Sequence, residues 1–354
     1  MRWWPLPWPK AWAGEKPADE EDEEPKTLRE QILLFARDLA FAFLIVAIVM
    51  GLLFGYTRVW PPMVVVESDS MQHSDTEGFV GAIDTGDLVL VQAVSQHSDV
   101  TTYVEARNAG YETYSNFGDV IVFNKPLALP GATPIIHRAI VYVVPNPGGD
   151  GVDVPSLAGR PVGVEWDGIW VNSTPATTPF GLASLTIKGV RSWDLEAGGR
   201  RDITYPNLNA VTNDGFLTKG DHNQQPDQWG APVAVGRIIG KARGELPWFG
   251  LIKLTLSPGP TGCCRQGWGD PAAPANSWNS LLVSLILIIV GPFAADFAWG
   301  WWKDRRKERK TDAEAAPPDP EEAAPERPES SDPPTGDPTD EARTGSAGPG
   351  AGGP

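Results

Sequence analysis

PIIHRAIVYVV, residues 134–144, decides the fold class of this chain. It is a short apolar run carrying one histidine and one arginine, and it reads as a strand. Six further stretches repeat the pattern: FVGAI (79–83), DLVLVQAV (87–94), DVIVF (119–123), GVEWDGIWV (163–171), GFLTKG (215–220) and VGRIIGKA (235–242). Gly, Asp, Asn and Pro punctuate them, and no convincing amphipathic helical pattern intervenes. The expectation is a mainly β, antiparallel domain, either a sandwich or a partly closed barrel. Residues 145–214, rich in Gly and Pro, read as an inserted lobe or long excursion.

Outward from these strands the chain changes character. Leu39 to Tyr56 reads LAFAFLIVAIVMGLLFGY, uncharged and apolar on every side, the signature of a spanning helix. It lies too far from Met1 for an ordinary signal peptide and lacks a small-residue cleavage site after it. Leu281 to Trp302 is a second candidate, interrupted by Pro292 and Asp296 and closed by Trp299, Trp301 and Trp302. Lys303, Arg305, Arg306, Lys307, Arg309 and Lys310 follow at once, and such basic runs stay on the cytoplasmic side. Two spans then place both termini inside and everything from about Arg58 to Ser277 outside. The expected division is an acidic N-terminal tail (1–30), a first span (31–57), an exported β domain (58–256), a linker (257–278), a second span (279–302) and a disordered cytoplasmic tail (303–354).

The 354 residues carry a net charge of −16, from 45 acidic and 29 basic side chains. That balance argues against a nucleic-acid partner, which needs a basic face. Two explanations remain, simple solubility or a surface adapted to high salt; scarce lysines favour the second, as in a halophilic archaeon or bacterium. Cys263 and Cys264 are adjacent, which suits neither a spaced disulfide framework nor a metal site, so no metal and no cofactor are expected. Asn172-Ser173-Thr174 is a glycosylation sequon, meaningful only on an exported surface.

Three places could carry chemistry. In VVVESDSMQHSD (64–75) an apolar run breaks into two serines a few residues beyond the expected membrane exit. A serine hydroxyl is a poor nucleophile until a neighbouring base removes its proton. His137 is a candidate for that base, because imidazole exchanges protons near neutral pH; the alternative is a core histidine satisfied by a carbonyl. In FLTKGDHNQQPDQWG (216–230) two carboxylates, Asp221 and Asp227, share one turn-rich loop, as solvated acids, as a calcium loop short of ligands, or as an orienting acid.

Ser68-Asp69-Ser70-Met71, then Gly118-Asp119-Val120-Ile121-Val122, then His137-Arg138, then Thr218-Lys219-Gly220-Asp221-His222-Asn223 with Asp227, occur in the order of type I signal peptidases. The His-Arg pair, in place of Lys-Arg, resembles the archaeal and endoplasmic-reticulum branch. The resemblance covers roughly residues 60–95, 117–144 and 214–242. It implies Ser70 as nucleophile, His137 as general base, Asp227 as the acid that orients it, and Asp221 as the second aspartate of a Gly-Asp-Asn box. Here that box reads Gly-Asp-His-Asn, so His222 replaces a usual Asn, and the 145–214 segment departs from the compact endoplasmic-reticulum form. The implied activity is removal of N-terminal signal peptides from preproteins at the bilayer surface. The Ser68 hydroxyl and the Ser70 N–H are candidate oxyanion donors. The run 63–66 would be an edge strand that pairs with the substrate backbone. LPWFGLIKLTL (246–256) either rests on lipid or is an ordinary strand. Two other readings stay open: a Ser-Lys peptidase using Lys125 or Lys219, and a non-catalytic, membrane-anchored binding or assembly domain.

Overall fold

A computed structural model describes residues 27–126, 132–195, 198–258 and 263–314. Most of both expected tails therefore lies outside the described residues. Helix α1 (Leu28–Thr57) begins at a reciprocal cap, where Thr27 accepts from the Glu30 N–H and Glu30 accepts from the Thr27 N–H. It ends at Arg58 in the left-handed conformation. At the other end of the chain, the long helix that starts at Ala275 runs to Glu314 with Pro292 inside it. Leu28–Thr57 and Ala275–Lys307 are each long and apolar enough to cross a membrane.

Between them the strands are β1 (Met63–Val65), β2 (Leu88–Gln92), β3 (Glu112–Thr113), β4 (Asn116–Phe117), β5 (Val120–Phe123), β6 (Ile135–Pro145), β7 (Val152–Asp153), β8 (Trp166–Trp170), β9 (Leu182–Arg191), β10 (Arg200–Tyr205), β11 (Gly215–Lys219) and β12 (Ile238–Leu246). β3 and β4 form a separate hairpin. The rest pair antiparallel in the order β1-β2-β12-β5-β6-β7-β9-β10, with β11 also on β6 and β8 also on β9. The order keeps two free ends, β1 and β10, rather than closing into a ring.

Strand β6 is the hinge of this arrangement. Its start, Ile135–Arg138, pairs with β5, and Arg138–Val143 pairs with β11, so Arg138 stands opposite both Val120 and Lys219, while Val144 and Pro145 turn over to β7. The insertion is thus a continuation of the sheet. It has its own core of Val152, Leu157, Trp166, Leu182, Leu185, Ile187 and Ile203, which joins Ile140, Val141 and Val143 of β6. A second cluster, Val66, Met71, Ile83, Val89, Val120 and Ala242, lies beneath the serine segment. Burying such a side chain contributes about 1.5–3 kcal/mol, enough to anchor that segment's root.

Three expectations are corrected. FVGAI is no strand. Phe79 and Val80 are 44% and 70% exposed, Gly81 has φ +99°, and Asp84 captures the Phe79 N–H, so the chain turns instead of pairing. A helix does intervene: α2 (Tyr103–Ala109), capped reciprocally by Thr102 and Glu105 and stopped by Gly110 at φ +68°. Gly250–Leu256 is a helix, α3, and not a strand. Its Leu251 and Leu254 are buried against Trp278 and Leu281 at the start of the helix Ala275–Glu314, which is α4, while Leu256 is exposed. The adjacent Cys263 and Cys264 are bonded to each other. The Cys263 N–H donates to the Glu67 carbonyl at 2.9 Å, so the linker takes up the edge just past β1. β1 itself pairs only with β2 among the described strands, an edge as expected.

Candidate active site

The candidate base and the acid beside it come from β6 and from the loop that follows its neighbour β11. β6 places His137 and β11 places Thr218, and the loop beyond β11 folds back because the Asp227 N–H donates to the Thr218 carbonyl at 3.0 Å. Asp227 Oδ2 then lies 2.6 Å from His137 Nδ1 and accepts the Thr218 hydroxyl, also at 2.6 Å. Both side chains are more than nine-tenths buried. An ionised carboxylate only accepts, so Nδ1 carries the ring proton and Nε2 keeps its lone pair. That is the tautomer a general base needs.

Ser70 sits in a short 3-10 turn, Asp69–Met71, that packs against β6. The buried Met71 roots the turn, and its sulfur accepts the Asp221 N–H at 3.4 Å. His222 holds the same turn twice: its N–H donates to the Ser70 carbonyl and its Nδ1–H to the Gln72 carbonyl, each at 2.9 Å. The histidine that replaces the usual Asn of the expected Gly-Asp-Asn box therefore has a structural job. Gly220 allows the approach, since a Cβ there would stand 2.5 Å from the Ser70 carbonyl oxygen. Ser68 Oγ is 3.3 Å from Ser70 Oγ. No hydrogen bond joins the Ser70 hydroxyl to His137 among the described residues; catalytic contacts of this kind often tighten only when substrate binds.

Asp221 is not part of the His137 pair. It lies against Arg138, with Nε at 2.8 Å and Nη2 at 2.6 Å, and His73 Nε2 stands 3.3 Å from Oδ2. Burial alone would raise its pKa, but the Arg138 charge and hydrogen bonds, with His73, hold the carboxyl well below the usual range. Arg138, fully buried, also donates to the Gly118 carbonyl at 2.7 Å and so ties the Gly118-Asp119 turn to the same centre. Gly118 has φ +81°, and a Cβ there would meet the Tyr103 backbone nitrogen at 2.7 Å, which explains glycine at this turn.

Neither lysine of the alternative reading points at Ser70. Lys125 Nζ lies over the Trp229 ring, 5.2 Å from its centroid. Lys219 Nζ donates to Ser192 Oγ at 2.8 Å and to the Gly220 carbonyl at 2.9 Å. Burial pulls Lys219 down to about 8, against the opposing charges of Asp221 and Asp194. Beside the serine loop, three carboxyls gather: Asp84, Asp87 and Glu245. Burial lifts Asp84 to about 7, with Asp87 adding to it, and lifts Asp87 to about 6 and Glu245 to about 7.

His73, Thr218 and Trp193 are site residues that the sequence did not single out; only Thr218 carried a signal, by adjoining the aspartate loop. Among the described residues no group of three or more His, Cys, Asp or Glu side chains is arranged to hold a metal ion. No family model matches the chain, no curated protein matches its sequence, and no solved structure matches its fold.

Proposed function

We propose that this protein is a membrane-bound serine endopeptidase that removes signal peptides from exported preproteins. The observation that carries the reading is the His137–Asp227 pair at 2.6 Å, buried beside the turn that bears Ser70. The resemblance to type I signal peptidases in motif order adds to it. In this reading His137 Nε2 takes the Ser70 proton as Oγ attacks the scissile carbonyl, and Asp227 stabilises the imidazolium. The Ser68 hydroxyl and the Ser70 N–H receive the oxyanion. His137 returns its proton to the leaving amine, and water then releases the acyl chain by the same route. Asp221 holds Arg138 and the turn rather than the base.

Two apolar helices suit a bilayer anchor, and the basic run after Trp302 would keep the C-terminus inside, with residues 58–277 outside. The substrate would emerge next to β1 and extend its edge, ahead of Glu67, whose carbonyl the linker already occupies.

The test uses the full chain in detergent with a preprotein. Ser70→Ala is expected to abolish cleavage with folding unchanged, and His137→Ala to do the same. Cleavage by Ser70→Ala at the wild-type rate sinks the enzyme reading in favour of a binding domain. An active His137→Ala protein, inactivated by Lys219→Met, would move it to the Ser-Lys class.

A further inference from the structure

We infer that the 145–214 insertion is an arm of the active site, and that Trp193 at its tip seats His73 as a positioning residue for Ser70. This deepens the peptidase reading and rests on it. Trp193 stands in the turn between β9 and β10, and its N–H donates to the Asp221 carbonyl at 2.9 Å. Its indole stacks on the His73 ring, with centroids 4.0 Å apart and planes 18° from parallel. His73 follows Ser70 by three residues, its side chain is 1% exposed, and its Nε2 faces Asp221 at 3.3 Å.

The chemistry explains why a histidine stands there. Asp221 accepts only, so Nε2–H is the donor, and Nδ1 is left buried without a partner. Buried polar atoms are nearly always satisfied, so an orphan calls for a reason. A phenylalanine would stack on Trp193 with no orphan atom, but it would give Asp221 nothing. The ring is kept because it does both: one face lies on the insertion, and one edge pins the Ser70 turn to the aspartate that grips Arg138.

The clasp is reciprocal. His222 reaches from the aspartate loop to the Ser70 and Gln72 carbonyls, and His73 reaches back from the serine loop to Asp221. The insertion holds the aspartate loop from behind as well. Ser192 accepts from Lys219 at 2.8 Å and donates to Asp194 at 2.5 Å, and Asp194 pairs with Arg201 of β10. Without Trp193 one face of His73 loses the indole that supports it, which weakens the His73 tie and leaves more of the hold on the Ser70 turn to His222 and Met71.

The test is hydrogen exchange on the full chain in detergent, alongside preprotein cleavage, for Trp193→Ala, Trp193→Phe, His73→Ala and His73→Gln. The two alanine variants are expected to speed exchange across residues 68–79 by about tenfold or more, while β10 keeps its wild-type rate. Trp193→Phe, which keeps the stack, and His73→Gln, which keeps a donor, should stay within about threefold. In cleavage the alanine variants should lose roughly 10- to 100-fold in kcat with KM nearly unchanged, the mark of a displaced catalytic group. Wild-type exchange in both alanine variants overturns the inference, and so do Phe and Gln variants that behave like the alanines. If Trp193→Ala also loosens β10, His73→Ala decides, since it leaves the insertion intact. The exchange result stands apart from activity: should Ser70→Ala cleave normally, the peptidase reading fails while exchange still decides the clasp.

Discussion

Asp227→Asn and Asp221→Asn should fail in opposite ways, although the two residues share a loop. Both the His137 Nδ1–H and the Thr218 hydroxyl address one oxygen of Asp227, Oδ2. An asparagine that presents its carbonyl there still accepts both bonds, so the tautomer survives and what disappears is the negative charge beside a forming imidazolium. Two unit charges about 4 Å apart in a partly buried site interact by about 4 kcal/mol, which is about three orders of magnitude in rate. Turnover should fall by that factor with little change in melting temperature. Asp221 is different, because Arg138 is fully buried and Asp221 is its carboxylate partner among the described residues. Breaking a buried pair costs about 3–5 kcal/mol, and about 2–4 °C per kcal/mol applies to a domain of this size, so Asp221→Asn should melt roughly 10 °C lower. Initial cleavage rates and thermal unfolding of the two purified variants separate the cases. An Asp227→Asn protein within tenfold of wild type, beside an inactive Asp221→Asn protein of unchanged stability, would refute the assignment and make Asp221 the orienting acid.

Three further outcomes follow from the geometry. Asp84 is lifted by burial from 3.8 to about 7, so its contribution to stability is complete below about pH 4 and is lost as pH rises through 7; that penalty is about 4 kcal/mol for the charged form. Asp84→Asn should therefore melt several degrees higher than wild type at pH 8 and no higher at pH 4, as calorimetry at both values would show. Ser68→Ala should lower kcat by roughly one to two orders of magnitude at constant KM, and an unchanged rate would remove Ser68 from the oxyanion site. Gly220→Ala must push the Ser70 carbonyl from 2.5 Å, and about 100-fold loss of turnover in a folded protein is expected from displacing the nucleophile; a fully active variant would show that the turn moves freely.

The strands were legible wherever an apolar run lay between turn residues, as in β5, β6, β11 and β12. FVGAI failed that test in space because the Phe79 N–H goes to Asp84, five residues on, and the Gly81 N–H to Glu245 of β12, instead of to a neighbouring strand; the second capture is long-range, and no local pattern reveals it. Helix α2 was legible in principle, since Thr102 and Glu105 have capping-box spacing and Gly110 is a stop signal, but its seven residues are too few for a periodic stripe. At the candidate site, the pairing of His137 with Asp227 came from motif order and not from the local sequence, which offers two equivalent acids. His73 could not be read at all. Its meaning depends on Trp193, which the insertion brings from the far end of a hairpin.

The two halves of the candidate site are held by different means. His137 and Thr218 ride on adjacent strands, and Asp227 is clamped between them, so the base is fixed by the backbone ladder itself. Ser70 has no ladder. Its turn is tied by side-chain bonds from His222 and His73, by the sulfur of Met71, and by a glycine that admits close contact. Backbone ladders open only with the whole sheet, whereas ties of this kind open locally and at smaller free energy. In the proposed reading Ser70 is therefore the more adjustable member of the pair. β1 leads directly into the turn through Val66 and Glu67, so a peptide that extends the β1 edge would act on Ser70 through the shortest path the chain offers. In the proposed reading substrate pairing and placement of Ser70 become one event, and the insertion braces the turn through the stack of Trp193 on His73.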